Sequence, residues 1–484
     1  MNTYLGIDLG TSGVKALLMD ADQNILGSGS ASLDVSRPHS GWSEQDPKDW
    51  ITATTLAIKD LAKNHDLSTV GGIGLSGHMH GATALDADGV PVRPCILWND
   101  TRSHVEAAEL DANPIFRGLT GNIVFPGFTA PKLLWMKRNE PDLFGKVAMV
   151  LLPKDYLRLW LTGENISEMS DSAGTAWLDV ASRDWSDELL AATGLTRDQM
   201  PSLVEGTEIG GRLRADVAAE LGLPAATPVA GGGGDNAASA IGIGAVRAGG
   251  AFASLGTSGV LFVATASYAP NADSAVHTFC HAVPDRWHQM GVILSATDCL
   301  NWFAGITDQT PPKLTGEIGT EVQVPGPVIF LPYLSGERTP HNDAEIRGQF
   351  LNLSHRTTRA DMTRAILESV AFAFRDSLEA LAVAGTKLDR VIAVGGGSAS
   401  PYWLQVLADV LNMPVDLPKD GDFGAAFGAA RFGLIAATGA DPDKVCTPPD
   451  VEKTYMPDAS RVPAFSDKYQ NYRKAYPALK GLLS

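Results

Sequence analysis

Apolar residues in the first thirty-four positions fall into three short runs, at about residues 4–8, 14–20 and 27–34. The polar breaks between them are Gly10-Thr11-Ser12-Gly13 and Asp20-Ala21-Asp22-Gln23-Asn24. Runs of this length bounded by turn residues predict an antiparallel meander of three strands. The period changes at Asp46-Pro47. Trp50, Ile51, Leu56, Ala57 and Leu61 recur at helical spacing, and Pro47 suits the first turn. A buried strand over 70–76 then leads into the loop Gly77-His78-Met79-His80-Gly81, followed by short strands over 82–86 and 94–98. Residues 104–200 read as mostly helical. A strand over 228–234 ends in four glycines, and a helix follows over 236–243.

After Ala245 the strand–turn–strand theme starts again. It is followed by a helix over 295–306, a poorly specified surface segment over 307–327 and a long helix over 359–384. The strand 391–394 feeds Gly395-Gly396-Gly397-Ser398, with a helix over 402–411 beyond it. A small-residue helix over 424–437 is built to pack closely on a sheet or a ligand, and a last helix covers 465–483. Each half is thus a meander followed by alternating strands and helices, the layout of two α/β domains with mixed sheets. Ligands in such folds sit at strand ends and in the crevice between halves.

The halves share a motif. Leu9-Gly10-Thr11-Ser12-Gly13-Val14 recurs letter for letter as Leu255-Gly256-Thr257-Ser258-Gly259-Val260, about half the chain later. Such a turn offers bare backbone N–H groups and two hydroxyls, a nest for a phosphate oxygen. Either copy alone reads as a plain hairpin turn. Repetition at half-chain spacing favours two turns gripping one polyphosphate across a cleft. Asp8 precedes only the first copy and suits a hydrated Mg²⁺; Ser254 takes its place in the second. Neither copy is a Walker A loop, since the Gly-Lys-Ser/Thr ending is absent.

At 484 residues the chain suits two domains. A net charge of −17 speaks against a nucleic-acid partner, so phosphate would be held by amides, a few cations and Mg²⁺. Cys95, Cys280, Cys299 and Cys446 form no C-x-x-C pair, which suits a reducing cytoplasm. No apolar run is long enough for a bilayer span, and the N-terminus has no leader pattern, so no membrane partner is expected.

Gly231-Gly232-Gly233-Gly234-Asp235-Asn236 is the most informative acidic site. Asp235 reads equally as a helix N-cap and as a carboxylate fixed beside bare backbone, able to take a proton from an attacking hydroxyl. The loop 77–81 reads as surface histidines or as polyol contacts over an apolar Met79. Trp98-Asn99-Asp100 reads as core packing or as an aromatic and polar sugar wall. Gly395 to Ser398 reads as a strand-to-helix turn or as a nucleoside seat.

Together these residues resemble the FGGY family of carbohydrate kinases, within the sugar kinase, heat-shock protein 70 and actin superfamily. The carriers are Gly6-Ile7-Asp8-Leu9-Gly10-Thr11-Ser12, Ser254-Leu255-Gly256-Thr257-Ser258-Gly259, the stretch from Pro126 to Trp135, and the stretch from Tyr333 to Pro340 continuing to Gly348. The resemblance implies two actin-like (ribonuclease H-like) ATPase domains with mixed sheets flanking a deep cleft. Residues 1–245 would hold the sugar and residues 246–484 the adenosine. Met79-His80-Gly81, Trp98-Asn99-Asp100, residues 152–156 and 170–175, and Gly233-Gly234-Asp235-Asn236 are similar to the bacterial branch acting on D-xylulose. His78 stands where that branch has Gln.

By the resemblance Asp235 is the catalytic base. Met79, His80, Trp98, Asn99, Asp100, Asp235 and Asn236 face the sugar. Gly10, Thr11, Ser12, Gly256, Thr257, Ser258, Gly396, Gly397 and Ser398 face ATP, and Asp8 acts on Mg²⁺ through water. The alternatives are another family kinase, for ribulose, fuculose, gluconate or glycerol, and a nucleotide-gated binding protein on the same fold. A homodimer stays open. The sugar site is expected wholly in the first half, with a hinge at 243–250 where Gly242, Gly244, Gly249 and Gly250 cluster.

Overall fold

The first meander forms as expected. In the computed structural model, which describes residues 2–419 and 423–483, the strands Thr3–Gly10, Gly13–Asp20 and Ile25–Ser32 pair antiparallel in sequence. Val70–Gly77 adds parallel to Thr3–Gly10 on the other side. Pro228–Ala230 and Gly233–Gly234 both pair parallel with Val70–Gly77, and Ile209–Arg212 closes that edge. The expected single strand over 228–234 is therefore two short strands. Gly232 interrupts them at φ +77, a conformation open to glycine.

The second sheet repeats this plan. Ala251–Leu255 pairs antiparallel with Gly259–Thr265, and Trp287–Ile293 and His277–Cys280 follow outward. Val391–Val394 lies parallel to Ala251–Leu255, with Val415–Pro418 and Val451–Tyr455 beyond it. The identical hexapeptides nevertheless close differently. Gly10 pairs with Gly13, leaving two residues in the loop, whereas Leu255 pairs with Gly259, leaving three.

Helix Pro47–Ala62 starts as predicted, with the Asp46 side chain accepting from the Lys48 N–H and Pro47 in the first turn. The segment 307–327 holds more order than expected. It contains the helix Pro311–Glu317, which buries Leu314 and pairs Glu317 with Arg359 of the long helix Arg359–Val383.

One helix departs from the two-half plan. Ala425–Thr438 comes from the second half of the chain but lies on the first sheet, against Val70–Gly77 and Thr3–Gly10. Glycine makes this possible. A Cβ on Gly6, Gly72 or Gly74 would overlap the carbonyl oxygen of Ala426, Gly433 or Ala429. Gly428 meets the helix Asp235–Ile243 equally closely, since a Cβ there would overlap the Ala238 carbonyl. The chain leaves the second sheet after Pro418 and rejoins it at Val451.

Candidate active site

Both glycine-rich turns are held from behind by their carbonyls. In the first, the Thr11 carbonyl accepts from Gln45 Nε2 at 2.8 Å and the Ser12 carbonyl from the Leu33 N–H at 2.9 Å. In the second, Gly256 O accepts from Thr297 N at 3.0 Å and Thr257 O from Ala296 N at 2.8 Å. In a trans peptide the N–H points opposite to the C=O. The amides of Ser12, Gly13, Thr257 and Ser258 therefore face away from these supports. Ser12, Thr257 and Ser258 are exposed.

Asp8, at the end of its strand, accepts from Ser76 Oγ at 2.8 Å and lies cross-strand from Lys15. Burial raises its pKa, against lowering by Ser76 and Lys15. Asp235 is close enough to feel it. Burial first, then the Asp8 charge, push the Asp235 carboxyl up to about 6, against the Asn236 hydrogen bonds that lower it. Asp235 is not the N-cap that the sequence suggested. Gly234 holds that place and Asp235 is the first helical residue, with its Oδ1 accepting from the Asn236 N–H (2.7 Å) and Nδ2 (3.0 Å).

The loop 77–81 docks beside Asp235 through missing side chains. A Cβ on Gly234 would stand 2.8 Å from Met79 Cγ, and one on Gly174 would stand 2.6 Å from His80 Cε1. His80 adopts φ +69, stacks on Phe128 at 4.7 Å and places Nδ1 2.6 Å from the Gly174 carbonyl oxygen. Buried Lys132 donates to the carbonyls of His80 (2.9 Å) and Gly127 (2.7 Å), and burial lowers its pKa to about 7. His78 turns the other way. It is buried edge-on to Trp50 with both ring nitrogens unpartnered, and burial drives its pKa down to about 3.

The other residues expected to wall a sugar divide. Trp98 is 47 % exposed and its Nε1 donates to Thr11 Oγ1 at 3.0 Å. The Asn99 Oδ1 is buried without a partner. Asp100 is consumed internally: it accepts from Arg102 Nε (2.9 Å) and Nη2 (2.6 Å) and from the Ser43 N–H (2.6 Å). Its carboxylate therefore fixes the backbone under Trp98, not a hydroxyl of a ligand. Asn236 lines a cavity of about 600 Å³ together with Ser254, Gly395, Ser398, Phe423 and Gly424. Gly396 is exposed with free space around it, whereas Gly397 is buried and a Cβ on it would press on Leu255.

Two contributors escaped the sequence reading. One is the second half of the chain, which packs beside the loop 77–81. Strand His277–Cys280 is tied on by Asn122, which exchanges two hydrogen bonds with Thr278. Phe279 lies 6.2 Å from His80, and the Arg338 guanidinium covers Phe125 at 3.7 Å. The other is a buried ionic cluster below Gly234. Lys154 contacts Asp155 (2.6 Å), Asp171 (3.3 Å) and Glu168 (3.5 Å), and Ser170 Oγ accepts from the Gly234 N–H. Residues 152–156 and 170–175 carry part of the resemblance, but their convergence, with Glu168, on Lys154 needs the fold. Among the described residues no cluster of three or more His, Cys, Asp or Glu could hold a metal, and no helix is long and apolar enough to cross a membrane.

Comparison with known proteins adds a family. The N-terminal domain of the FGGY family of carbohydrate kinases matches residues 3–242, and its C-terminal domain matches residues 251–437. The chain is 48% identical to a xylulose kinase of Escherichia coli strain K12, covering 99% of this chain and 100% of that one. It is similar to a crystal structure described as a "xyloylose kinase" from Brucella ovis, with 61% identity, TM-score 0.98, and coverage of 99% and 100%. A xylulose kinase structure from Rhodospirillum rubrum matches over both full lengths at 29% identity and TM-score 0.93.

Proposed function

The chain belongs to the FGGY family of carbohydrate kinases, and from that premise we propose that it transfers the γ-phosphoryl group of ATP to D-xylulose, giving D-xylulose 5-phosphate and ADP. The observation that carries the reading is the match to xylulose kinases along the whole chain, not in one domain.

The geometry supports roles for particular groups. The sugar lies over Met79 and His80, with the face of Trp98 beside it, and its attacking hydroxyl points at Asp235. That carboxylate, with a pKa of about 6, is ionised at neutral pH and still basic enough to accept a proton. As the hydroxyl oxygen bonds to the γ-phosphorus, its proton passes to Asp235 and the bond to the β-phosphate oxygen breaks. The forward-facing amides of the two turns, with the Thr11 hydroxyl, take up charge on the phosphoryl oxygens. The adenosine fills the cavity lined by Gly395 and Ser398. Asp100 acts behind the site by bracing Arg102 and Ser43.

Mg²⁺ fits this arrangement. Asp8 is one half-buried carboxylate at the mouth of the first turn, a donor set for a hydrated ion carried on phosphates and too small for a fixed cage. The ion would supply charge neutralisation on the phosphates.

A panel of purified ketoses and polyols, read by ADP release, tests the assignment. D-xylulose should give the highest kcat/KM. A higher value for ribulose, fuculose, gluconate or glycerol would move the chain elsewhere in the family, and nucleotide turnover indifferent to every sugar would favour a nucleotide-gated binding protein.

A further inference from the structure

We propose that Trp98 is a positioning residue: its indole N–H aims the Thr11 hydroxyl proton into the cleft, so that the sugar side and the phosphate side of the site are coupled through one side-chain hydrogen bond. The proposal rests on the kinase reading above for what enters the cleft.

An indole nitrogen only donates, whereas a threonine hydroxyl has one proton to give and two lone pairs. At 3.0 Å from Trp98 Nε1, Thr11 Oγ1 is the acceptor. Its own proton must then point elsewhere. The rest of Thr11 cannot swing to follow, because its carbonyl is tied to Gln45 Nε2, and Gln45 Oε1 accepts from the buried Trp50 at 3.0 Å. Trp98 is anchored just as firmly from behind. The Leu97 N–H donates to Ser43 O at 2.9 Å, and a Cβ on Gly127 would overlap the Trp98 carbonyl. Phe128, next to Gly127, stacks on His80.

Trp98 therefore links the two sides, its indole N–H on the phosphate turn and its backbone against the segment whose Phe128 stacks on His80. A sugar resting on its face restricts the ring, and the ring restricts one of the two hydroxyls that the first turn presents, the Thr11 one. A hydrogen bond to an ionised oxygen is stronger than one to a neutral group, so direction matters here.

The test is a double-mutant cycle with Trp98→Phe, Thr11→Val and the pair. Steady-state turnover is measured with D-xylulose, and affinity for a non-hydrolysable Mg·ATP analogue by calorimetry. Trp98→Phe keeps an aromatic face and removes only the donor. It should weaken analogue binding or lower kcat/KM for ATP about fivefold to tenfold, with the KM for sugar within about twofold of wild type. Its thermal midpoint should not move. The double variant should be no worse than Thr11→Val alone. Effects that multiply in the double variant, or a Trp98→Phe enzyme with normal ATP parameters and a raised sugar KM, would overturn the link. If wild type failed to turn over D-xylulose, the substrate reading would fall, and the analogue-binding cycle would still decide the coupling.

Discussion

At Asp235 one physical cause has two measurable effects. Burial and the Asp8 charge hold the carboxyl near a pKa of about 6, above its ordinary value. Below that pH the group is protonated and cannot accept the hydroxyl proton. The kcat/KM for the sugar should therefore fall about tenfold per unit on the acid side of pH 6. Asp235→Asn should lower kcat by about 10²–10⁴ while sugar binding survives, since Asn keeps the shape and loses the basicity. The second effect is on stability. A raised pKa means that the ionised form is disfavoured by folding, a penalty present above pH 6 and absent below the unfolded value near 4. Asp235→Asn should thus be more stable than wild type at pH 8, by about 1–2 kcal/mol after discounting for partial exposure. The gain should vanish as the pH falls through 6 towards 4. Chemical denaturation at pH 8 and pH 4 checks the sign. Asp8→Asn should chiefly raise the Mg²⁺ requirement, with partial rescue by excess Mg²⁺. Unchanged Mg²⁺ dependence would remove Asp8 from that role. That Asp235 stands at a strand end beside bare glycine backbone was legible in Gly231-Gly232-Gly233-Gly234-Asp235. Its position as first helical residue was not, because it depends on Met79 and Ser170 packing on Gly234.

Among the elements, the meanders and the long helices were legible because their signals are local: a turn, a cap, a period. The two glycine-rich turns show the limit of that reading. The same six letters give a two-residue loop in one sheet and a three-residue loop in the other. What differs lies outside the hexapeptide, in Gln45 behind the first and the start of the helix Thr297–Ile306 behind the second. The helix over 424–437 was legible as a close-packing element, but not its destination. No local pattern says that it crosses back to the first sheet. Because it touches the helix that carries Asp235 at Gly428, the contact can be tested by function. Gly428→Ala would drive a methyl into the Ala238 carbonyl and displace one helix from the other. It should cost at least about 1–3 kcal/mol, as overpacking does, and lower kcat, though residue 428 lies outside the cleft. An enzyme with unchanged melting temperature and kcat would show that the two helices are free to separate.

For the whole molecule, the two turns sit on different sheets, and on the proposed reading they grip one ATP as the halves approach. The expected hinge at 243–250 includes Gly244 at φ +75 and Gly249 at φ +84. It is cross-braced. Arg431 donates to Ile241 O (2.8 Å), Gly242 O (3.1 Å) and Thr447 O (3.1 Å), and Arg286 joins Val246 O to Asp443. Closure would exclude water, which competes with the sugar for the phosphoryl group. Small-angle scattering with D-xylulose plus a non-hydrolysable ATP analogue should show a smaller radius of gyration than the free protein. An unchanged radius at saturating ligand would mean a preformed closed cleft.

The crossing helix also bears on how the protein is born. A ribosome delivers the chain from its N-terminus, and domains usually fold in that order as they emerge. Here the first sheet is translated early, yet Gly6, Gly72 and Gly74 remain an open face until Ala425–Thr438 is out, when most of the chain has been made. The N-terminal half therefore waits, unfinished, through the synthesis of the C-terminal half. Nascent chains arrested near residue 250 should be cut readily by protease and bound by chaperones, and adding the segment that contains Ala425–Thr438 in trans should protect them.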